Sequence, residues 1–198
     1  KKVTAEELLQ TMKQSSNLIT GKYLKLLLDD RFEKSVKQQL YAGLKPDYLE
    51  TDILKALSEL ARPQRDGIRL ESVISFNFDD LIERRLSLDG TAHCSVWKEG
   101  QSNAPKELPI YHVHGFLPNI DELDSPKLVF SEESYHSQFI DPYSWSNLCQ
   151  LNAFSSHICL FVGLSLSDPN LRRLLDISHE RNQKIRHYII MKTAEGNT

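Results

Sequence analysis

Three short polar clusters hold the side chains that could do chemistry. Asn77 and Asp79 follow the apolar run Val73-Ile74-Ser75-Phe76. His114 and Gly115 follow Pro109-Ile110-Tyr111-His112-Val113, and Gly163, Ser165, Asp168 and Asn170 follow Ile158-Cys159-Leu160-Phe161-Val162. An amide can hold hydroxyl groups or a water, and an imidazole, whose unperturbed pKa lies near neutrality, can take up a proton. A glycine-serine turn leading into a helix brings backbone N–H groups up to an anion. Each cluster also has a plain structural reading. Asn77 serves equally as a turn residue, His114 as a structural histidine and Gly163-Leu164-Ser165 as a tight connection. Asp79, Asp168 and Asn170 are equally suited to capping the helices that follow.

The elements that must position these clusters follow from hydrophobic patterning. The three apolar runs are short and continuous, as buried strands are, and each passes into a polar turn. Asp80 to Leu86 and the segment after Asp168-Pro169 read as helices, the latter with Asp168 as N-cap and Pro169 at the first turn. Asp141-Pro142 predicts a cap and first turn for a further helix through about Ser156. Ala92–Trp97, Lys127–Phe130 and His187–Met191 are further strand candidates, with Ser131 capping a helix after the second of them. Thr4-Ala5-Glu6-Glu7 fits a capping box, and Tyr23, Leu24, Leu27, Leu28, Phe32, Val36 and Leu40 continue a helical stripe. A third helix starts near Thr51. Strands alternating with capped helices predict an α/β fold, a Rossmann-like parallel sheet flanked by helices. No repeat or linker interrupts the chain, so residues 1–198 read as one domain, with a helical part over 1–62 and an α/β part over 63–198. Ligands of open parallel sheets bind beyond the carboxyl ends of the strands, where all three clusters fall.

Composition narrows the classes. With 24 Lys and Arg against 27 Asp and Glu, the net charge of −3 provides no electrostatic footprint for nucleic acid or an anionic membrane. No apolar run approaches the roughly 18 residues of a membrane span. Cys94, Cys149 and Cys159 lie far apart and form no C-x-x-C pair, which argues against a disulfide framework and for a reducing cytoplasm. Glycine is scarce, 8 in 198, and no G-x-G-x-x-G or G-x-x-x-x-G-K occurs. Either the chain binds no nucleotide or a glycine-rich segment is missing from it.

The motifs themselves resemble a family. Val73 to Glu83, with Asn77-Phe78-Asp79 at its centre, is similar to the T-x-N-[YFI]-D segment of the sirtuin superfamily, and Tyr111 to Leu117 looks like its H-G segment. Phe161 to Asn170 resembles the G-x-S-x-x-D-P-N segment of sirtuin-like domains in bacterial phage-defence proteins, and Asp141 to Trp145 fits the same branch. The resemblance spans about residues 50–192 with the motifs in order. Two departures stand out. The four-cysteine zinc module of sirtuin deacylases has no counterpart between Phe116 and His157, which contains only Cys149, so no zinc is expected. The family's first strand and its G-A-G-x-S phosphate loop are also missing, so this chain alone is expected to bind NAD poorly.

The resemblance implies NAD as substrate, cleaved between nicotinamide and ribose. It implies Asn77 and His114 as catalytic residues, Asn77 holding ribose hydroxyls or water and His114 acting as base. Phe76, Asp79, Gly163 and Ser165 would contact NAD, with Asp79 either shaping the nicotinamide pocket or capping its helix. His112 is expected to face away from His114 and to tolerate substitution. Phe139, Tyr143 and Trp145 read as core or subunit interface. The activity implied first is that of an NAD hydrolase effector in antiphage defence, working as a cytoplasmic homo-oligomer with a sensor domain outside this chain. A protein deacylase, or a non-catalytic NAD-binding or oligomerisation module, is the alternative.

Overall fold

The computed structural model describes residues 17–63, 70–101, 104–120, 128–130, 136 and 139–191. The chain forms two compact units, residues 1–137 and 138–198.

The first unit opens with helices α1 (Asn17–Leu28), α2 (Phe32–Tyr41) and α3 (Asp52–Ala61). It continues through β1 (Val73–Ser75), α4 (Leu81–Leu88), β2 (His93–Val96) and β3 (Leu108–His112). The three strands make a parallel sheet in the order β1-β3-β2, with Ser75 opposite His112 and Val96 opposite Tyr111. Apolar side chains recurring at helical spacing explain the helical part. Phe32, buried, packs with Leu117 and Leu128, and Leu24, Leu28, Val36 and Leu40 join them. A second cluster joins Ala61 of α3 and Leu86 of α4 to Leu108 and Ile110 of β3. The Thr4–Glu7 capping box and the Ser131 cap lie outside the described residues.

The expected strand at Lys127–Phe130 is not formed. Lys127 lies outside the described residues, and Leu128–Phe130 has no strand partner among them. The Val129 N–H donates to the His114 carbonyl at 2.7 Å, while Leu128 and Phe130 turn into the Phe32 cluster. The apolar character that suggested a strand goes into side-chain packing, with the Phe130 ring edge-on to Phe32 at 5.2 Å.

The second unit contains α5 (Trp145–Ser156), β4 (Leu160–Val162), α6 (Pro169–Arg181) and β5 (Tyr188–Ile190). Strands β4 and β5 pair in parallel, Phe161 opposite Ile189. Asp168 caps α6 as expected, its Oδ1 accepting from the N–H groups of Asn170 at 2.7 Å and Leu171 at 3.0 Å. The helix expected from Asp141-Pro142 begins later. Asp141 Oδ1 accepts from the Tyr143 N–H, and the Asp141 carbonyl from the Ser144 N–H, so a β-turn precedes α5. Proline's fixed φ suits the second position of such a turn as well as a helix start. The final strands were also expected to be buried. Phe161 is buried and meets Phe154 at 5.8 Å, but Leu160, Tyr188 and Ile190 are exposed. The alternation of a strand sends successive side chains to opposite faces, and within this unit the described residues cover one of them. Tyr143 is 79% exposed and is not core.

Candidate active site

The β1–β3 pairing decides the geometry of the first unit's site. Because Ser75 and His112 are register partners in parallel strands, the segments that follow them leave the sheet at the same carboxyl edge. Phe76, Asn77, Asp79 and His114 are therefore brought together there. The Phe76 and His114 rings meet edge to face at 4.9 Å, which seats the half-buried imidazole against an apolar wall. Asn77 is exposed.

Hydrogen bonds tie the two segments to each other. The Val113 N–H donates to the Ser75 carbonyl at 3.2 Å and the Leu117 N–H to the Phe78 carbonyl at 2.7 Å. The Asn77 N–H donates to Ser75 Oγ at 3.2 Å, closing a local turn. At Gly115 the backbone takes φ +108°, a conformation that L side chains rarely adopt, and its N–H returns to the His112 carbonyl. That turn ends the strand at His112, so strand alternation does not extend to His114.

Asp79 accepts from the Leu81 N–H at 3.2 Å through Oδ1, which commits one oxygen to the start of α4. Burial and the nearby Glu83 charge raise its pKa, against the lowering effect of that hydrogen bond.

His112 corrects the expectation that it would tolerate substitution. It is fully buried and stacks on Phe116 at 4.1 Å. Its Nδ1 lies 3.1 Å from the Asn77 carbonyl and its Nε2 2.6 Å from Glu83 Oε1. Reasoning from the sequence missed this group, along with Tyr41 and Asp80 behind it. A glutamate three residues before the buried Leu86 shares that residue's helix face, and this was the signal available. Asp80 accepts from Tyr41 Oη, Arg84 Nε and the Asn119 N–H at 2.9–3.0 Å, so it is a buried junction beneath the turn.

In the second unit, Gly163 and Ser165 follow β4. Gly163 takes φ +70°, and a Cβ there would meet no described atom within 4 Å, so backbone conformation rather than crowding requires glycine. Ser165 is exposed, with Oγ 2.6 Å from Ser167 Oγ. Asn170 is buried and structural: its Nδ2 donates to Asn147 Oδ1 at 2.9 Å and its Oδ1 accepts from Arg173 at 2.7 Å, joining α6 to α5. A depression of about 380 Å³ lined by Phe139, Arg172, Arg173 and Asp176 lies along α6 and contains none of the predicted site residues. Among the described residues, no group of three or more His, Cys, Asp or Glu is placed to hold a metal ion, and no helix is long and apolar enough to cross a membrane.

A parallel sheet flanked by helices, with an amide and an imidazole following its strands at the carboxyl edge, defines an α/β domain. The chain belongs to the SIR2-like domain family, whose model matches residues 71–198 and so takes in β1 to β5 and all three clusters. It is similar to the uncharacterized protein y4cA of Sinorhizobium fredii (strain NBRC 101917 / NGR234), 22% identical over 173 residues, covering 80% of this chain and 14% of that protein. It is also similar to the NAD(+) hydrolase ThsA of Bacillus cereus (strain MSX-D12), 27% identical over 129 residues, covering 60% of this chain and 25% of that one. The chain therefore spans a quarter or less of the length of these relatives.

Proposed function

We propose that this chain is the catalytic part of an NAD hydrolase that releases nicotinamide and ADP-ribose. The observation that carries the reading is the β1–β3 register, which sends Asn77 and His114 out at one sheet edge. The similarity to a protein named as an NAD(+) hydrolase supports NAD as the substrate.

The chemistry suits so small a set of groups. Nicotinamide in NAD is already a cationic leaving group, so it departs with the electron pair of the broken C1′–N bond and needs no general acid. The barrier lies in the oxocarbenium character that develops on the ribose, as in other glycosyl transfers. Asn77 holds the ribose hydroxyls or the attacking water. The water oxygen bonds to C1′, and His114 takes the proton that the water gives up. Phe76 walls the imidazole, and Asp79 faces the nicotinamide end. The motif resemblance supports a wider setting: a homo-oligomeric effector of bacterial antiphage defence, working in the cytoplasm with a sensing domain.

Incubation of the complete protein with NAD, followed by chromatographic separation of the products, tests this. Free ADP-ribose and nicotinamide are expected in equal amounts, without any acylated peptide. Nicotinamide release that requires an acetyl-lysine peptide and yields O-acetyl-ADP-ribose would make the domain a deacylase instead. Absence of turnover with NAD still bound would make it a binding module.

A further inference from the structure

Both ring nitrogens of His112 are committed. A carbonyl oxygen can only accept, so Nδ1 carries the hydrogen that bridges 3.1 Å to the Asn77 carbonyl. Nε2 faces Glu83 Oε1 at 2.6 Å, and that same oxygen accepts from Ser95 Oγ at 2.9 Å. A continuous chain thus runs from Ser95 on β2, through Glu83 on α4 and His112 on β3, to the turn after β1 that presents Asn77.

We propose that Glu83 and His112 are positioning residues for Asn77: the Glu83 side chain holds the imidazole with its Nδ1–H toward the Asn77 carbonyl, and the imidazole fixes the Asn77–Phe78 peptide. This rests on the reading of Asn77 as the group that holds ribose or water. The Asn77 side chain is exposed, so its direction is set by its own backbone rather than by packing around the amide. Of this residue's two backbone polar groups, the N–H is held locally by Ser75 Oγ, and the carbonyl accepts from His112 on another strand at 3.1 Å and, more loosely, from Ser75 Oγ at 3.4 Å. Rotating the carbonyl away would swing the amide off the sheet edge.

The arrangement is not one that stability alone would select. Glu83 Oε2 is buried and makes no hydrogen bond among the described residues, a destabilising feature in a low-dielectric interior. Apolar residues of similar volume commonly match or exceed the stability of a buried ionisable pair. Fixed orientation at the sheet edge is what this pair supplies and an apolar pair would not.

Four variants of the complete protein test the proposal. His112→Asn keeps an amide N–H near the Nδ1 position, and His112→Gln keeps one near Nε2 only. Glu83→Gln can donate to Nε2 and keep Nδ1–H toward Asn77, whereas Glu83→Leu cannot. His112→Gln and Glu83→Leu are expected to lower kcat for NAD cleavage about 10- to 100-fold with KM within about twofold, as misplacement of a positioned group does. His112→Asn and Glu83→Gln are expected to stay within about fivefold of the parent, since both keep the N–H that faces Asn77. In parallel, the amide resonance of Phe78, which shares the Asn77 peptide, should shift in the first pair of variants and hold in the second. Losses that track only the thermal midpoint, with His112→Asn and His112→Gln equivalent in kcat and in the Phe78 resonance, would overturn it. If the parent cleaves no NAD, the hydrolase reading fails, while the Phe78 resonances still decide the positioning claim. If His112→Gln does not fold, the Glu83 pair decides on the same pattern.

Discussion

The hydroxyl of Tyr41 accepts a hydrogen bond from the Asp80 N–H at 3.0 Å, so the last residue of α2 holds the turn that carries Asn77 and Asp79. The same hydroxyl lies 2.8 Å from the Leu117 carbonyl and 2.9 Å from Asp80 Oδ1, either of which can take its single proton. Helix α2 precedes the stretch that matches the SIR2-like domain model, yet it supplies a ligand to the backbone beneath the site.

Tyr41→Phe should therefore destabilise the chain through polar groups rather than through packing. It strips the Asp80 N–H of its partner in a part-buried place, which costs about 1–3 kcal/mol. For a chain of this size, each kcal/mol lowers the thermal midpoint by about 2–4 °C. Burial, reinforced by the Asp80 charge, raises the phenol pKa well beyond the usual tyrosine range. Ultraviolet titration should show Tyr41 ionising only as the fold is lost. A variant as stable as the parent would contradict the assignment.

Asp79→Asn separates a structural carboxylate from a ligand contact. The amide oxygen can still accept from the Leu81 N–H, so the turn is retained. Burial raises the Asp79 pKa in the folded state, so the folded chain binds its proton more readily than the unfolded one. The parent's stability from this group is then highest in acid. It falls as pH rises from the unfolded carboxyl value, about 3.9, to the raised folded value. Denaturant titrations across pH should show the Asp79→Asn variant gaining on the parent through that window and holding its gain at neutral pH. NAD turnover should nevertheless drop about tenfold or more, the worth of one lost charge-assisted contact. Unchanged turnover would leave Asp79 with the turn alone.

The thiols give a readout of the second unit. Burial pushes the Cys159 pKa up to about 11, and Cys159 Sγ donates to the Ala153 carbonyl at 3.6 Å. Only the thiolate attacks alkylating reagents. Near pH 8 a thiol with that pKa is thiolate roughly one part in a thousand, so its alkylation should run about 10²-fold slower than that of a free cysteine. Peptide mass spectrometry after iodoacetamide treatment should show this protection disappearing in urea. Equal labelling rates in native and unfolded chains would rule out the buried environment.

The parts of this fold that local pattern controls were legible in advance. The apolar runs Val73–Phe76, Pro109–Val113 and Ile158–Val162 hold β1, β3 and β4 to within a residue or two at each end, and Asp168-Pro169 started α6 where capping chemistry put it. Asp141-Pro142 was not legible, because the dipeptide that starts a helix also starts a β-turn and only Asp141's bonds to Tyr143 and Ser144 decide between them. Nor was Leu128–Phe130, whose apolar side chains serve the Phe32 cluster as readily as they would a strand. The two histidines show the limit best. Two residues apart in sequence, they differ because tertiary folding brings Glu83, itself bonded by Ser95, to His112, while the Gly115 turn redirects His114.

That difference gives the last prediction. Asn77 is exposed, so Asn77→Ala should leave stability within about 0.5 kcal/mol of the parent, as surface substitutions do. The half-buried His114 ring lies edge to face with Phe76 at the rim of the sheet, so its removal should also leave the fold intact. NAD cleavage by the complete protein should instead fall about 10²–10⁴-fold in His114→Ala, the usual worth of a positioned base, and comparably in Asn77→Ala. In His114→Ala the acidic limb of the rate–pH profile should flatten, because the group whose deprotonation it reports has gone. His112→Ala should differ in kind. Truncating a fully buried ring opens a cavity and takes one hydrogen-bond partner from both Glu83 and the Asn77 carbonyl, so its thermal midpoint should drop together with its activity. Calorimetry alongside product assays distinguishes the two histidines. A His114→Ala protein that retained full turnover, with His112→Ala inactive at unchanged stability, would move the base from His114 to His112.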